Sequence, residues 1–116
     1  MVTESPLGDA LSRYLDLSTK QMRLTANNMA NVDTPGYRTQ GFDFESQFSL
    51  ALQGDSAQTA PSQDPDVNGL IARPDGNNVS LDREAMEMAK AQLQFRTGVQ
   101  LLKSEYASIL EAIKSS

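Results

Sequence analysis

The residues with the most obvious chemical potential lie between positions 64 and 75. Asp64-Pro65-Asp66-Val67-Asn68-Gly69, continuing to Ile71 and Asp75, puts oxygen ligands, a glycine, an apolar residue and a closing carboxylate in the order of a calcium-binding helix-loop-helix. The neighbours oppose that reading. Pro61 stands where an incoming helix should run, Pro74 immediately precedes the last ligand, and that ligand is Asp rather than the longer Glu that binds through both oxygens. A calcium-binding regulatory protein therefore rests on Asp64, Asp66, Asn68 and Asp75 alone. Asp82, Glu84 and Glu87 form a second acidic group, with Arg83 four residues before Glu87 in ion-pair register. In the first turns of a helix they are expected to face solvent and to offset the helix dipole, not to transfer protons. Cys and His are absent, which removes thiol chemistry, the commonest general base and most transition-metal ligands. No G-x-S-x-G elbow or phosphate-cradling glycine loop stands before a helix, so the sequence predicts no enzyme and no cofactor or metal site.

Two helical segments must position whatever the chain does. Over residues 11–32, Leu11, Leu15, Ser18, Met22, Thr25, Met29 and Val32 step by four and three, with Tyr14, Leu17 and Leu24 widening the stripe. Pro6 can open this helix, Ser5 or Asp9 can cap it, and Asp33-Thr34-Pro35-Gly36 stops it. Over residues 81–114, the same alternation runs through Leu81, Ala85, Met88, Gln92, Phe95, Val99, Leu102, Tyr106, Ile109 and Ile113. A helix of that length is roughly 50 Å long, more than a compact domain of this size needs. Between them, Phe42, Phe44, Phe48 and Leu52 predict a short extended stretch followed by a turn or two of helix.

The expected fold is mostly α. Long N- and C-terminal helices pair as a coiled-coil-like hairpin, with a short helical or extended segment after the first helix and an irregular middle loop. The expected divisions of this one domain are 1–53, a flexible linker at 54–80 rich in Pro and Gly, and 81–116. The linker has too few large apolar residues to offset the entropy of ordering it.

The chain has 116 residues and a formal charge of -5. It lacks the positive field that nucleic acid or an anionic membrane surface requires. No stretch approaches the length of a membrane span, and residues 1–16 have neither the basic nor the apolar region of a secretory signal. Two helices of this kind cannot bury all their apolar faces in a hairpin, so lateral association is expected to cover the rest.

The run Asn27-Asn28-Met29-Ala30-Asn31 is unusual, because Asn is a poor helix former unless its amide satisfies backbone groups or pairs across an interface. Ala26 to Asn31, followed by Thr34-Pro35-Gly36-Tyr37-Arg38, resembles the N-terminal signature of bacterial flagellar rod and hook proteins. Pro74-Asp75-Gly76-Asn77-Asn78-Val79-Ser80-Leu81-Asp82-Arg83-Glu84, with Met88-Ala89 and Gln92-Leu93-Gln94-Phe95, is similar to the segment opening the C-terminal helix of the proximal rod family, FlgB. Ala91 and Phe95 depart from that pattern, which often has Asn and Tyr there.

The resemblance implies a non-enzymatic structural subunit of the flagellar basal-body rod, which crosses the periplasm and transmits motor torque. Its implied partners are other rod proteins, in homo- and hetero-oligomeric contact, and the adaptor joining rod to membrane ring. The flagellar type III export apparatus would carry the chain outward without a cleaved signal. The implied assembly interface comprises Leu15, Met22, Asn27, Asn28, Met29, Asn31, Thr34, Pro35, Gly36, Tyr37, Phe95, Val99, Leu102, Tyr106 and Ile109. Phe44 and Phe48, or Phe48 and Leu52, resemble the Phe-x-x-x-apolar pattern that engages the export gate. A cytosolic coiled-coil adaptor or chaperone-like module would use the same heptads without needing the Asn-rich turn.

Overall fold

The computed structural model describes residues 6–53, 67 and 69–115. Three helices follow in order, α1 (Pro6–Ala30), α2 (Phe44–Leu52) and α3 (Leu81–Lys114), with no strand among the described residues. Pro6 is the first residue of α1, where its missing N–H goes unused in any case, so the helix starts earlier than the apolar periodicity suggested. Asp9 pairs with Arg13 at 3.0 Å, one turn on, and Ser5 lies outside the described residues. α3 occupies the expected span, and Ser80 caps it by accepting from the Arg83 N–H.

α1 and α3 pack antiparallel as the expected hairpin. The buried column of α3 is Glu84, Ala91 and Gly98, spaced by sevens. A Cβ on Gly98 would lie 2.8 Å from Leu15 Cδ2 and 3.1 Å from Tyr14 Cδ1, so the missing side chain is what permits this close approach. Because Asn28 and Glu84 stand level at the other end, the longer α3 overshoots Pro6 by about two turns. Leu110 and Ile113 on that overhang are exposed.

The periodicity of α1 is as read, but one of its two columns differs. Leu11, Ser18 and Thr25 are buried as expected, whereas the second column is Gln21 and Asn28 rather than Met22 and Met29. Leu15, Met22 and Met29 are half-buried on the flank. Ranking positions by hydropathy selected the methionines. The close helix approach selected side chains whose polar atoms have partners inside, as with the Gln21 Nε2 to Thr25 Oγ1 bond of 3.4 Å. Likewise Leu81, Ala85 and Gln92 of α3 are exposed, and Phe95, Val99, Leu102 and Ile109 half-buried.

α2 lies on α1 alone. Tyr14 meets Phe44 and Phe48 edge-on, with centroids 5.2 and 5.5 Å away. Phe42 sits beneath Lys20 Nζ at 5.1 Å. Among the described residues, the buried hydrophobic side chains are Leu11, Val79 and Ala91. Most of what is buried is polar, and most of that gathers where the hairpin is joined.

Candidate functional site

That junction is a polar clasp between residues 27–40 and 73–84. Its centre is Asn28, fully buried on the last turns of α1. Its amide donates to Gln40 O at 2.7 Å and to Glu84 Oε1 at 3.0 Å. Its carbonyl accepts from the Tyr37 hydroxyl at 2.8 Å and from the Gln40 N–H at 3.1 Å. Both hydrogens and both lone pairs are thus used, which is what a buried amide requires.

The turn that follows α1 is built by its own residues. The Tyr37 N–H donates to Thr34 O at 3.2 Å, with Pro35 and Gly36 between them and Gly36 at φ +77°. Pro before a positive-φ Gly is the composition a type II turn demands. Asn31 Nδ2 bonds Asn27 O, Thr34 Oγ1 donates to Asn31 Oδ1, and Asn27 Nδ2 donates to the Tyr37 hydroxyl. These bonds carry the chain from the end of α1 into residues 37–43, which run extended to α2.

The second half of the clasp comes from the segment before α3. Arg73 and Asn77 close a tight turn over Pro74-Asp75-Gly76, with Gly76 at φ +87°. A Cβ on Gly76 would stand 3.4 Å from Gly36 Cα, so the two turns meet glycine to glycine. Gly36 N–H donates to Asp75 O at 2.8 Å, and the Arg73 guanidinium donates to Val32 O. Asn77 Nδ2 donates to both Asn31 O and Thr34 O at 2.8 Å, adding a second bond to two carbonyls of the turn after α1 that already accept from the Thr34 and Tyr37 N–H groups. Asn78 Oδ1 accepts from the Thr39 N–H at 2.6 Å, and the Asn78 N–H reaches Tyr37 O at 3.3 Å. Asn78 Nδ2 is the one buried side-chain polar atom without a partner among the described residues.

Glu84 closes the clasp, and here the expected solvent-facing carboxylate is fully buried. One oxygen accepts from Asn28 and the other from Arg83. The anticipated Arg83–Glu87 pair is replaced for the same reason: the guanidinium turns to the buried charge, while Glu87 pairs with Lys90 at 3.8 Å. Asp82 is exposed, as expected. Burial raises the Tyr37 phenol above its ordinary value, the Asn27 amide opposes this, and the negative charge of Glu84 adds to it.

Among the residues expected to form an interface, Asn27, Asn28, Asn31, Thr34, Gly36 and Tyr37 therefore come together within one subunit. Pro35 is exposed at the tip of the turn, and Tyr106 is exposed on α3. Sequence reasoning missed Thr39, Asn77, Asn78 and Glu84 as members of this site. The seven-residue spacing of Glu84 with Ala91 and Gly98 was the available signal. Of the calcium-loop residues, Asp64, Asp66 and Asn68 lie outside the described residues. The Asp75 carboxylate accepts the Asn77 N–H at 3.0 Å.

The two interlocked segments are the two that resemble flagellar rod proteins, and comparison with known proteins agrees. A family model described as flagella basal body rod protein matches residues 17–38, the second half of α1 and its turn. The flagellar basal body rod protein FlgB of Salmonella typhimurium is 29% identical over 130 residues, covering 91% of this chain and 94% of the relative. The chain is similar to flagellar basal-body rod proteins over most of its length. FlgB of Escherichia coli is 28% identical, with 92% of this chain and 95% of the relative covered, and FlgB of Borrelia hermsii is 25% identical, with 91% and 94% covered. The family match ends at Arg38, so it spans the N-terminal half of the clasp. The FlgB alignments run on over most of the chain.

Proposed function

We propose that this chain is a structural subunit of the bacterial flagellar basal-body rod, acting in its proximal part and passing motor torque through packed helices. The observation that carries the reading is the clasp, in which two motifs far apart in the chain are each other's binding partners, through bonds between residues 39 to 46 positions apart. A clasp centred on the fully used amide of Asn28 holds the hairpin in one geometry, and repetition of one geometry through non-closing contacts builds a helical tube. The neighbours are other rod subunits and the adaptor to the membrane ring. Leu15, Met22, Met29, Phe95, Val99, Leu102, Tyr106 and Ile109 supply packing between subunits, while Asn28 acts inside the subunit by fixing its shape.

The subunit reaches the periplasm through the type III export apparatus without cleavage, with Phe44, Phe48 and Leu52 meeting the export gate. No described helix is long and apolar enough to cross a membrane. A cytosolic adaptor would need the heptads but not the clasp. The experiment is complementation of a strain lacking its own rod subunit. The intact chain restores rods and swimming, and a chain with residues 31–37 exchanged for an unrelated capped loop does not. Swimming with the exchanged turn would reject the clasp as the carrier of function.

A further inference from the structure

α2 differs from the rest of the fold in how it is held. None of its residues is buried, and it packs on α1 but not on α3. A cleft of about 400 Å³ separates its first turn from Arg83, Glu87, Lys90 and Gln94 of α3. The clasp bonds end at Gln40, so α2 can leave α1 without breaking one of them. Its anchorage is aromatic: Phe44 and Phe48 both meet the single ring of Tyr14, while Leu52, next on the same face, is already 53% exposed. A nine-residue helix does not persist alone in water, so an undocked α2 offers its apolar side chains on a pliable segment.

We infer that Tyr14 is a socket that holds the Phe44–Phe48 face of α2 shut against α1, so that this face meets an apolar groove of a partner only in the undocked or unfolded chain. This rests on the reading above in which Phe44, Phe48 and Leu52 engage the export gate. It adds a direction to that reading. The chain is recognisable before it folds, and folding withdraws the face by placing it on Tyr14. A partner that takes side chains at i, i+4 and i+8 competes with the Tyr14 ring for the same surfaces, and its apparent affinity is lowered by the fraction of chains in which α2 is docked.

The test uses the full chain and the purified cytoplasmic domain of the export gate. Tyr14→Leu keeps an apolar side chain against Gly98 but removes both ring contacts, and Tyr14→Phe keeps the rings. Tyr14→Leu is expected to bind the gate domain about tenfold more tightly than the parent, and Tyr14→Phe equally to the parent. Hydrogen exchange is expected to accelerate in α2 of Tyr14→Leu while α3 keeps its protection. If Tyr14→Leu also loosens α3, Phe48→Leu tests the same contact from the other side, because it preserves the Phe-x-x-x-apolar pattern. Unchanged affinity and unchanged α2 exchange in these variants would overturn the socket. Loss of binding in Phe44→Ala/Phe48→Ala would then leave the gate contact standing, whereas full binding by that double variant would remove the gate contact and the socket with it.

Discussion

Asn28 donates to Glu84 across the helix seam at 3.0 Å, joining residues 56 positions apart with both side chains fully buried. A buried carboxylate in a seam whose other layers are Ala91 and Gly98 is costly unless every polar atom is used. Here Arg83 takes the other carboxylate oxygen, and Asn28 spends its remaining sites on Tyr37 and Gln40. The pair therefore ties the end of α1, the turn after it and the start of α3 into one unit.

Asn28→Ala should destabilise the subunit by about 3 kcal/mol, because it removes the four hydrogen bonds of this amide and takes the partner from one fully buried oxygen of Glu84. Urea denaturation of the purified chain measures this. A double-mutant cycle with Glu84→Gln should show coupling of about 1 kcal/mol or more, and strict additivity would mean that the two side chains act separately.

Gly98 tests the close approach of the helices. Gly98→Ala should be nearly neutral, since the gain in helix propensity, about 1 kcal/mol, offsets a small movement of the flexible Leu15 side chain. Gly98→Leu should cost about 2 kcal/mol by overpacking against Tyr14 and Leu15. Thermal melts of the two variants should separate accordingly, and equal melts would place the helices further apart.

Tyr37 makes stability depend on alkaline pH. Below the unfolded phenol's value, near 10, both states hold the proton. Above it the unfolded chain loses its proton first, because burial and Glu84 raise the folded value, so stability falls as pH rises until the folded phenol also ionises. Denaturation midpoints between pH 8 and pH 11, roughly the range that brackets the phenol, should fall more steeply for the parent than for Tyr37→Phe.

Assembly separates from folding at Val99, which is half-buried beside the Gly98 column. Val99→Asp should leave a soluble subunit with near-parental helicity by circular dichroism yet abolish swimming, whereas Asp64→Ala should swim normally. Normal swimming of Val99→Asp would remove this face from the interface.

The long elements were legible because periodicity is a property of the chain itself. α3 occupies its expected span, and the helical α2 follows the spacing of Phe44, Phe48 and Leu52. The exact face of α1 was not legible. Met22 and Met29 outrank Gln21 and Asn28 in hydropathy, and only the presence of Glu84, Tyr37 and Gln40 across the seam makes an amide the better occupant. Arg73 to Ser80 read as linker for a related reason. Turn residues with no apolar pattern show no partner in sequence, and theirs are the carbonyls of Asn31 and Thr34 more than 40 positions away.

A rod subunit must be found built into the basal body. Quantitative mass spectrometry of detergent-extracted hook and basal-body complexes from the source cells tests it most directly. The chain is expected to copurify with the complexes and to be retained when the hook is sheared away. Its absence from them, with the chain abundant in the soluble cytosolic fraction, would rule out a rod subunit and favour a cytosolic adaptor.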